Sequence, residues 1–319
     1  MSYLLDRALR ELLPRLCFFL PAKSRIALER SLRGREEHRK LRNADFVIVS
    51  FGKSGRTWLR ILLSRFFQQR LGLPEQTLIG FDNFHRKNAA APRIFVTHDN
   101  YLKDYTGNAD SKTDFYGKKV VLLVRNPYDT AVSQYFQWMH RMRPAKKVLN
   151  GYPAHGDEVG LFDFVMQEFG GLSTVVDFLN LWLQEAEAVG DVLVVRYEDL
   201  RADTAGELTR VLSFMGQAPG AEEAAEAVRF ASIENMRNME QKNVFWLAGR
   251  CMTPGDKNEP NSFKVRRAKV GGYRDYFSEE QLAEMEALVE SRLLPGFGYL
   301  KREHAGEADE PTVRQRVSA

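Results

Sequence analysis

Lys53, Ser54, Arg56 and Thr57 sit together between two glycines, Gly52 and Gly55, and Trp58. A lysine ammonium, a guanidinium, two hydroxyls and a backbone loosened by glycine are what a bound anion needs: mobile charge, O–H donors and N–H groups able to converge. A triphosphate-binding loop G-x-x-x-x-G-K-[ST] would require its first glycine at Val47, so only Gly52-Lys53-Ser54 matches it. The stretch therefore reads as a compact phosphate cradle or, more blandly, as a plain strand-to-helix turn.

Three further positions carry candidate chemistry. Arg125 closes the apolar run Val120-Val121-Leu122-Leu123-Val124 and is followed by Asn126-Pro127-Tyr128-Asp129. Its planar fork suits a terminal phosphate, which Ser133 could share, or else a pairing with Asp129. His98 ends Arg93-Ile94-Phe95-Val96-Thr97 and is placed either for proton transfer or as a structural ring. Arg266, Arg267 and Lys269, just before Gly271-Gly272, make a flexible anion clamp or a solvated basic turn.

The elements that must position these groups follow from patterning. Phe46-Val47-Ile48-Val49 reads as a strand, and Trp58, Leu59, Ile61, Leu62, Leu63, Phe66 and Phe67 recur at helical intervals. Strand, loop, helix aims a helix N-terminus at the anion. Continuous apolar runs at 120–124 and 192–195 predict strands of a sheet covered on both faces. In such a sheet ligands sit beyond the carboxyl ends of the strands, where Lys53, His98, Arg125 and Tyr197 all fall. Asn126 and Pro127 predict a cap and first helical position, and Ser278 caps a last helix to residue 294. Helices are also expected over 161–189 (two), 204–215, 221–230 and 232–240. Residues 143–160 read as a mobile loop over the site, and 241–264 as a lid.

Length and charge bound the rest. The 319 residues are 44% hydrophobic with formal charge +4, enough for one α/β domain and too mild and dispersed to require nucleic acid. Cys17 and Cys251 follow no metal spacing, which fits a reducing, cytoplasmic setting, and no acidic metal cluster is visible. Residues 1–41 form a helical extension with an apolar stripe through Leu4, Leu5, Leu9 and Leu12; it suits either packing on the domain or contact with an anionic membrane surface. Residues 42–300 form the α/β domain, and 301–319 read as a disordered tail.

Four separated pieces resemble the cytosolic-type sulfotransferases that use 3′-phosphoadenosine 5′-phosphosulfate (PAPS). Phe51-Gly52-Lys53-Ser54-Gly55-Arg56-Thr57-Trp58 resembles their Y-P-K-S-G-T-T-W loop, and Arg125 to Ser133 resembles R-N-P-K-D-x-A-V-S. Tyr197-Glu198-Asp199-Leu200 matches Y-E-D-L, and Arg266 to Arg274 resembles R-K-G-x-x-G-D-W-K. The resemblance implies a three-layer P-loop-like α/β fold, a central parallel sheet flanked by helices. It also implies transfer of a sulfuryl group from PAPS, without metal, to a hydroxyl or amine of a small-molecule, lipid-like or sugar acceptor.

Position by position, it gives Lys53, Ser54, Gly55, Arg56 and Thr57 the 5′-phosphosulfate and Trp58 and Ile233 the adenine. Arg125, Ser133, Arg266 and Arg267 receive the 3′-phosphate and Tyr197 the nucleoside, with His98 as general base and Lys53 stabilising the leaving phosphate. The chain departs from the pattern at Val96, where a lysine is common, at Ile233, commonly aromatic, and at Ala268, commonly glycine. The dimerisation pattern K-x-x-x-T-V-x-x-x-E is broken, with Arg274, Ser278, Glu279 and Ala283 in its place, which leaves oligomeric state open. A metal-dependent phosphate-loop kinase and a catalytically silent nucleotide-binding or membrane-surface module are the alternatives.

Overall fold

The computed structural model describes residues 16–245 and 252–304, together with residues 9, 10, 12 and 13. Four short strands, β1 (Phe46–Val49), β2 (Ile94–Thr97), β3 (Val120–Val124) and β4 (Val192–Arg196), form one parallel sheet in the order β2-β1-β3-β4. The expected α/β architecture with a central parallel sheet is what the chain adopts.

Alternate side chains of each strand feed two separate cores. Ile48, Ile94, Val121, Leu123, Leu193 and Val195 face one, while Val47, Val49, Phe95, Leu122, Val124 and Val194 face the other. This is why the strands read as unbroken apolar runs: both faces are covered. One face is covered by helix α2 (Arg56–Leu71) with Leu208, Val211 and Ala227 from the later helices. The helices Pro127–His140, Leu172–Val189 and Glu279–Arg292 cover the other.

The chain leaves β1 to form β2 on one side, then returns to place β3 on the other. The switch point between β1 and β3 opens a crevice at the carboxyl edge of the sheet. Asn126 caps the helix after β3 through its side chain, accepting from the N–H groups of Tyr128 (3.1 Å) and Asp129 (3.2 Å). Ser278 and Gln281 form a reciprocal cap on Glu279–Arg292.

Three expectations need correction or placement. The segment 143–160 holds a helix, Pro144–Leu149, with Pro144 at its first position, and Lys146 donates to the Tyr101 hydroxyl at 2.9 Å. A polar helix, α1 (Ala22–Arg42), precedes the sheet and is held by Arg30, which pairs with Asp104 at 2.9 Å and donates to Leu149 O. Most of the stripe expected over residues 4–13, residues 246–251 of the lid and residues 305–319 of the tail lie outside the described residues.

Candidate active site

The carboxyl ends of all four strands contribute to one cleft, the place where an open α/β sheet holds its ligands. Lys53, Gly55, Arg56, Thr57 and Trp58 line it after β1, and His98 after β2. Arg125 and Ser133 come from β3 and its helix, Tyr197 follows β4, and Ile233, Arg266 and Arg267 close the far wall. Ser54, only 1% exposed, lies behind the loop and does not reach the wall.

The loop after β1 is held in an unusual backbone shape. Lys53 has φ +72°, a region costing a side-chain-bearing residue about 1–2 kcal/mol. Gly55 has φ +94°, and a Cβ there would lie 2.5 Å from the Tyr197 ring. That ring meets Trp58 edge-on with centroids 5.9 Å apart, and Trp58 is pinned by its indole N–H to Ala231 O at 2.9 Å, beside Ile233. Loop, aromatic wall and far wall therefore set one another's positions.

Arg125 ties two loops together across the switch point. It donates to Lys53 O at 3.1 Å and to Lys269 O at 3.5 Å, and its guanidinium lies 4.5 Å over the Tyr197 ring. Asp129 stands 3.6 Å from it, but that carboxylate is engaged by the N–H groups of Gly271 (2.8 Å) and Tyr273 (3.0 Å). Both sequence readings of Arg125 thus describe one feature: it touches Asp129 loosely and faces the cleft. Its Nε has no hydrogen-bond partner among the described residues.

In the basic segment, Arg266 lies flat on Phe136 at 3.8 Å and reaches the Tyr276 hydroxyl, while Arg267 and Lys269 both pair with Asp275, at 2.6 and 2.8 Å. Ala268 takes φ +52°, the conformation for which a glycine is better suited.

Electrostatics single out two groups. Burial, then the charges of Lys264, Arg141 and Arg125, hold Lys53 well below the usual lysine value. Its ammonium donates to Gln137 Oε1 at 3.5 Å. His98 is also held well below its ordinary value, by burial and then by Arg56. Its Nδ1 lies 2.9 Å from Ser50 O and its Nε2 2.6 Å from Arg56 Nη2. A carbonyl only accepts and a guanidinium only donates, so the ring is neutral, protonated at Nδ1 and carrying its lone pair at Nε2.

Sequence reasoning missed Lys264, Arg201, Met236 and Val265, which also line the cleft. Lys264 stands alone in a polar stretch, and Arg201, 5.6 Å over Trp58, belongs to the short helix Tyr197–Ala202; neither carries a local pattern. Five aromatics stand in the polar stretches of the chain: Phe81, Phe84, Tyr152, Phe245 and Trp246. Phe84 and Phe245 are buried in the core, Phe81 packs against the other core, and Tyr152 stacks on Phe164; Trp246 lies outside the described residues.

A sulfotransferase-domain family model matches residues 43–298. The chain belongs to the sulfotransferase family. This sulfotransferase is 22% identical over 269 residues to Sulfotransferase 2A6 of Rattus norvegicus, covering 79% of this chain and 86% of the relative. It is 26% identical over 288 residues to Cytosolic sulfotransferase 16 of Arabidopsis thaliana, covering 81% and 78%. Among solved structures it resembles mouse sulfotransferase SULT7A1 complexed with PAP, the desulfated donor, with TM-score 0.55, 21% identity and coverage of 85% and 92%. It also resembles a retinol dehydratase complexed with retinol and PAP, with TM-score 0.54, 18% identity and coverage of 78% and 81%. Both share its fold.

Proposed function

We propose that this sulfotransferase lays PAPS across the switch point, the 5′-phosphosulfate on the loop 53–57 and the 3′-phosphate against Arg125, Ser133, Arg266 and Arg267. A half-buried lysine crowded by like charges carries the reading. Lys53 sits among Lys264, Arg141 and Arg125, an arrangement that burial makes unfavourable and that a bound polyanion relieves. Trp58, Tyr197 and Ile233 supply the surfaces for the nucleoside.

The same geometry supports an in-line transfer. His98 Nε2 takes the acceptor's proton as the acceptor oxygen bonds to sulfur and the bond from sulfur to the 5′-phosphate breaks. Lys53 then steadies the electron pair left on the phosphate oxygen. Removing such a base costs roughly 10²–10⁴-fold in rate. His98→Ala is expected to lose turnover on that scale and keep PAP binding, whereas Lys53→Ala loses both. Near-native transfer of labelled sulfate by His98→Ala would displace the base assignment.

The acceptor is proposed to be a small molecule. The retinol dehydratase complexes contain retinol or androsterone, ligands of that protein. Here a neighbouring cleft of about 440 Å³, lined by Gln137, Arg141, Arg143, Thr253 and Lys264, shares Lys264 with the main one. Its polar, cationic walls favour a sugar hydroxyl over an apolar alcohol. Peripheral membrane contact belongs to the same proposal: Leu16, Phe18 and Phe19 are 65–77% exposed ahead of the basic helix Ala22–Arg42. No helix among the described residues is long and apolar enough to cross a membrane.

A further inference from the structure

The loop after β1 carries Arg56 where the family pattern has threonine, and β2 carries Val96 where the pattern has lysine. The first of these departures reaches the proposed base directly. Arg56 opens helix α2, and its Nη2 lies 2.6 Å from His98 Nε2, the nitrogen that must accept the acceptor's proton. The other ring nitrogen is fixed on Ser50 O. The lone pair of the ring is thus engaged by a guanidinium that itself lines the cleft.

We infer that Arg56 is a donor-sensitive catch on His98. It covers Nε2 in the empty enzyme and moves onto the sulfonate oxygens when PAPS binds, which uncovers the base only when there is a group to transfer. This rests on the PAPS reading above. It assigns Arg56 two duties at once: positioning His98 in the Nδ1–H form and bringing to the transferring group the positive charge that Val96 cannot. A guanidinium suits both, because its fork can leave a single ring nitrogen for a pair of oxygens, a more favourable charge-assisted contact.

The charged groups facing His98 come from several elements. Arg56 approaches from α2, Lys146 from the helix Pro144–Leu149 and Lys264 from the segment before Val265, and all three disfavour the imidazolium. On the opposite side Asp99 is paired with Lys112 at 2.6 Å, and Glu37 is held by Thr97 at 3.4 Å. Removing Arg56 therefore takes away the cation that touches the ring.

The test is nitrogen-detected NMR of the His98 imidazole in the full chain, wild type against Arg56→Thr and the charge-keeping Arg56→Lys, with PAP and PAPS affinities measured alongside. In the empty wild type the ring is expected to stay neutral through the ordinary histidine range. In Arg56→Thr its midpoint rises, and the acidic limb of the pH profile of kcat/KM moves to higher pH with it. PAPS, but not PAP, is expected to shift the wild-type Nε2 resonance, and turnover is expected to fall about 10–100-fold in Arg56→Thr with partial recovery in Arg56→Lys. An unchanged His98 midpoint in Arg56→Thr, or identical Nε2 responses to PAP and PAPS, overturns the inference while leaving donor binding intact. Failure of wild type to bind PAP overturns the underlying reading instead.

Discussion

At the residue scale the proposed donor site makes binding a protonation event at Lys53. Its value is held low by burial and by neighbouring cations; a phosphosulfate or phosphate beside it favours the ammonium and raises it. The bound state then holds more protons between those two values, so PAP affinity should weaken as pH rises through that interval. Calorimetry of PAP binding to wild type over a pH series should show affinity falling with rising pH and proton uptake in buffers of different ionisation heat; affinity independent of pH with no proton uptake would contradict it. Glu37 offers a separate check on the fold beneath His98. Burial, then the Asp99 charge, raises its carboxyl to about 7. A raised acid contributes stability below its unfolded value that is lost as pH climbs through the folded one. Glu37→Gln should therefore be more stable than wild type at pH 8, by about 1–3 kcal/mol, and nearly equal at pH 4. Urea unfolding at the two pH values decides this, and a difference independent of pH would remove Glu37 from the account.

At the scale of elements, the turn after β1 works because nothing but hydrogen projects from Gly55. Gly55→Ala sets a Cβ 2.5 Å from a ring already braced by Trp58 and Arg125, so the loop must move. PAP affinity is expected to fall at least about tenfold, an effect of ~1.4 kcal/mol or more. Gly72→Ala is the control: its φ is also positive, +63°, but its Cβ meets no heavy atom within 4 Å among the described residues. It should lose stability and keep affinity, and equal affinity losses in the two variants would contradict the close-approach argument. Asp129→Ala should loosen the basic segment in the same assay by stranding the N–H groups of Gly271 and Tyr273.

The strands and the helices after them were legible because two-sided burial writes unbroken apolar runs, and Asn126 and Ser278 announced their helices. The helix Ala22–Arg42 was not legible by period, since only Gly34, Glu36 and Leu41 are buried along it. Nor could spacing tell that Phe84 and Phe245 belong to the core, because an aromatic in a polar stretch reads the same whether it faces ligand or protein. Lys264 reached the cleft through tertiary folding alone.

The molecule as a whole gathers cations at one edge of a parallel sheet while its net charge stays near +4, which makes the site, not the surface, the place where an anion is held. The exposed Leu16, Phe18 and Phe19 bear on the chain's other proposed contact. Flotation with vesicles containing anionic lipid should carry the full chain, and removal of residues 1–20 should leave it in the soluble fraction; equal partition of both would end the membrane proposal. The central claim is that a nucleotide with phosphates at both ends of its sugar bridges Lys53 and Arg125. Titration calorimetry with adenosine 3′,5′-bisphosphate, without metal, tests it most directly. Binding that is lost in both Lys53→Ala and Arg125→Ala, with ATP and magnesium giving no comparable heat, is the predicted result. Absence of binding by wild type, or preference for ATP with magnesium, would contradict the account.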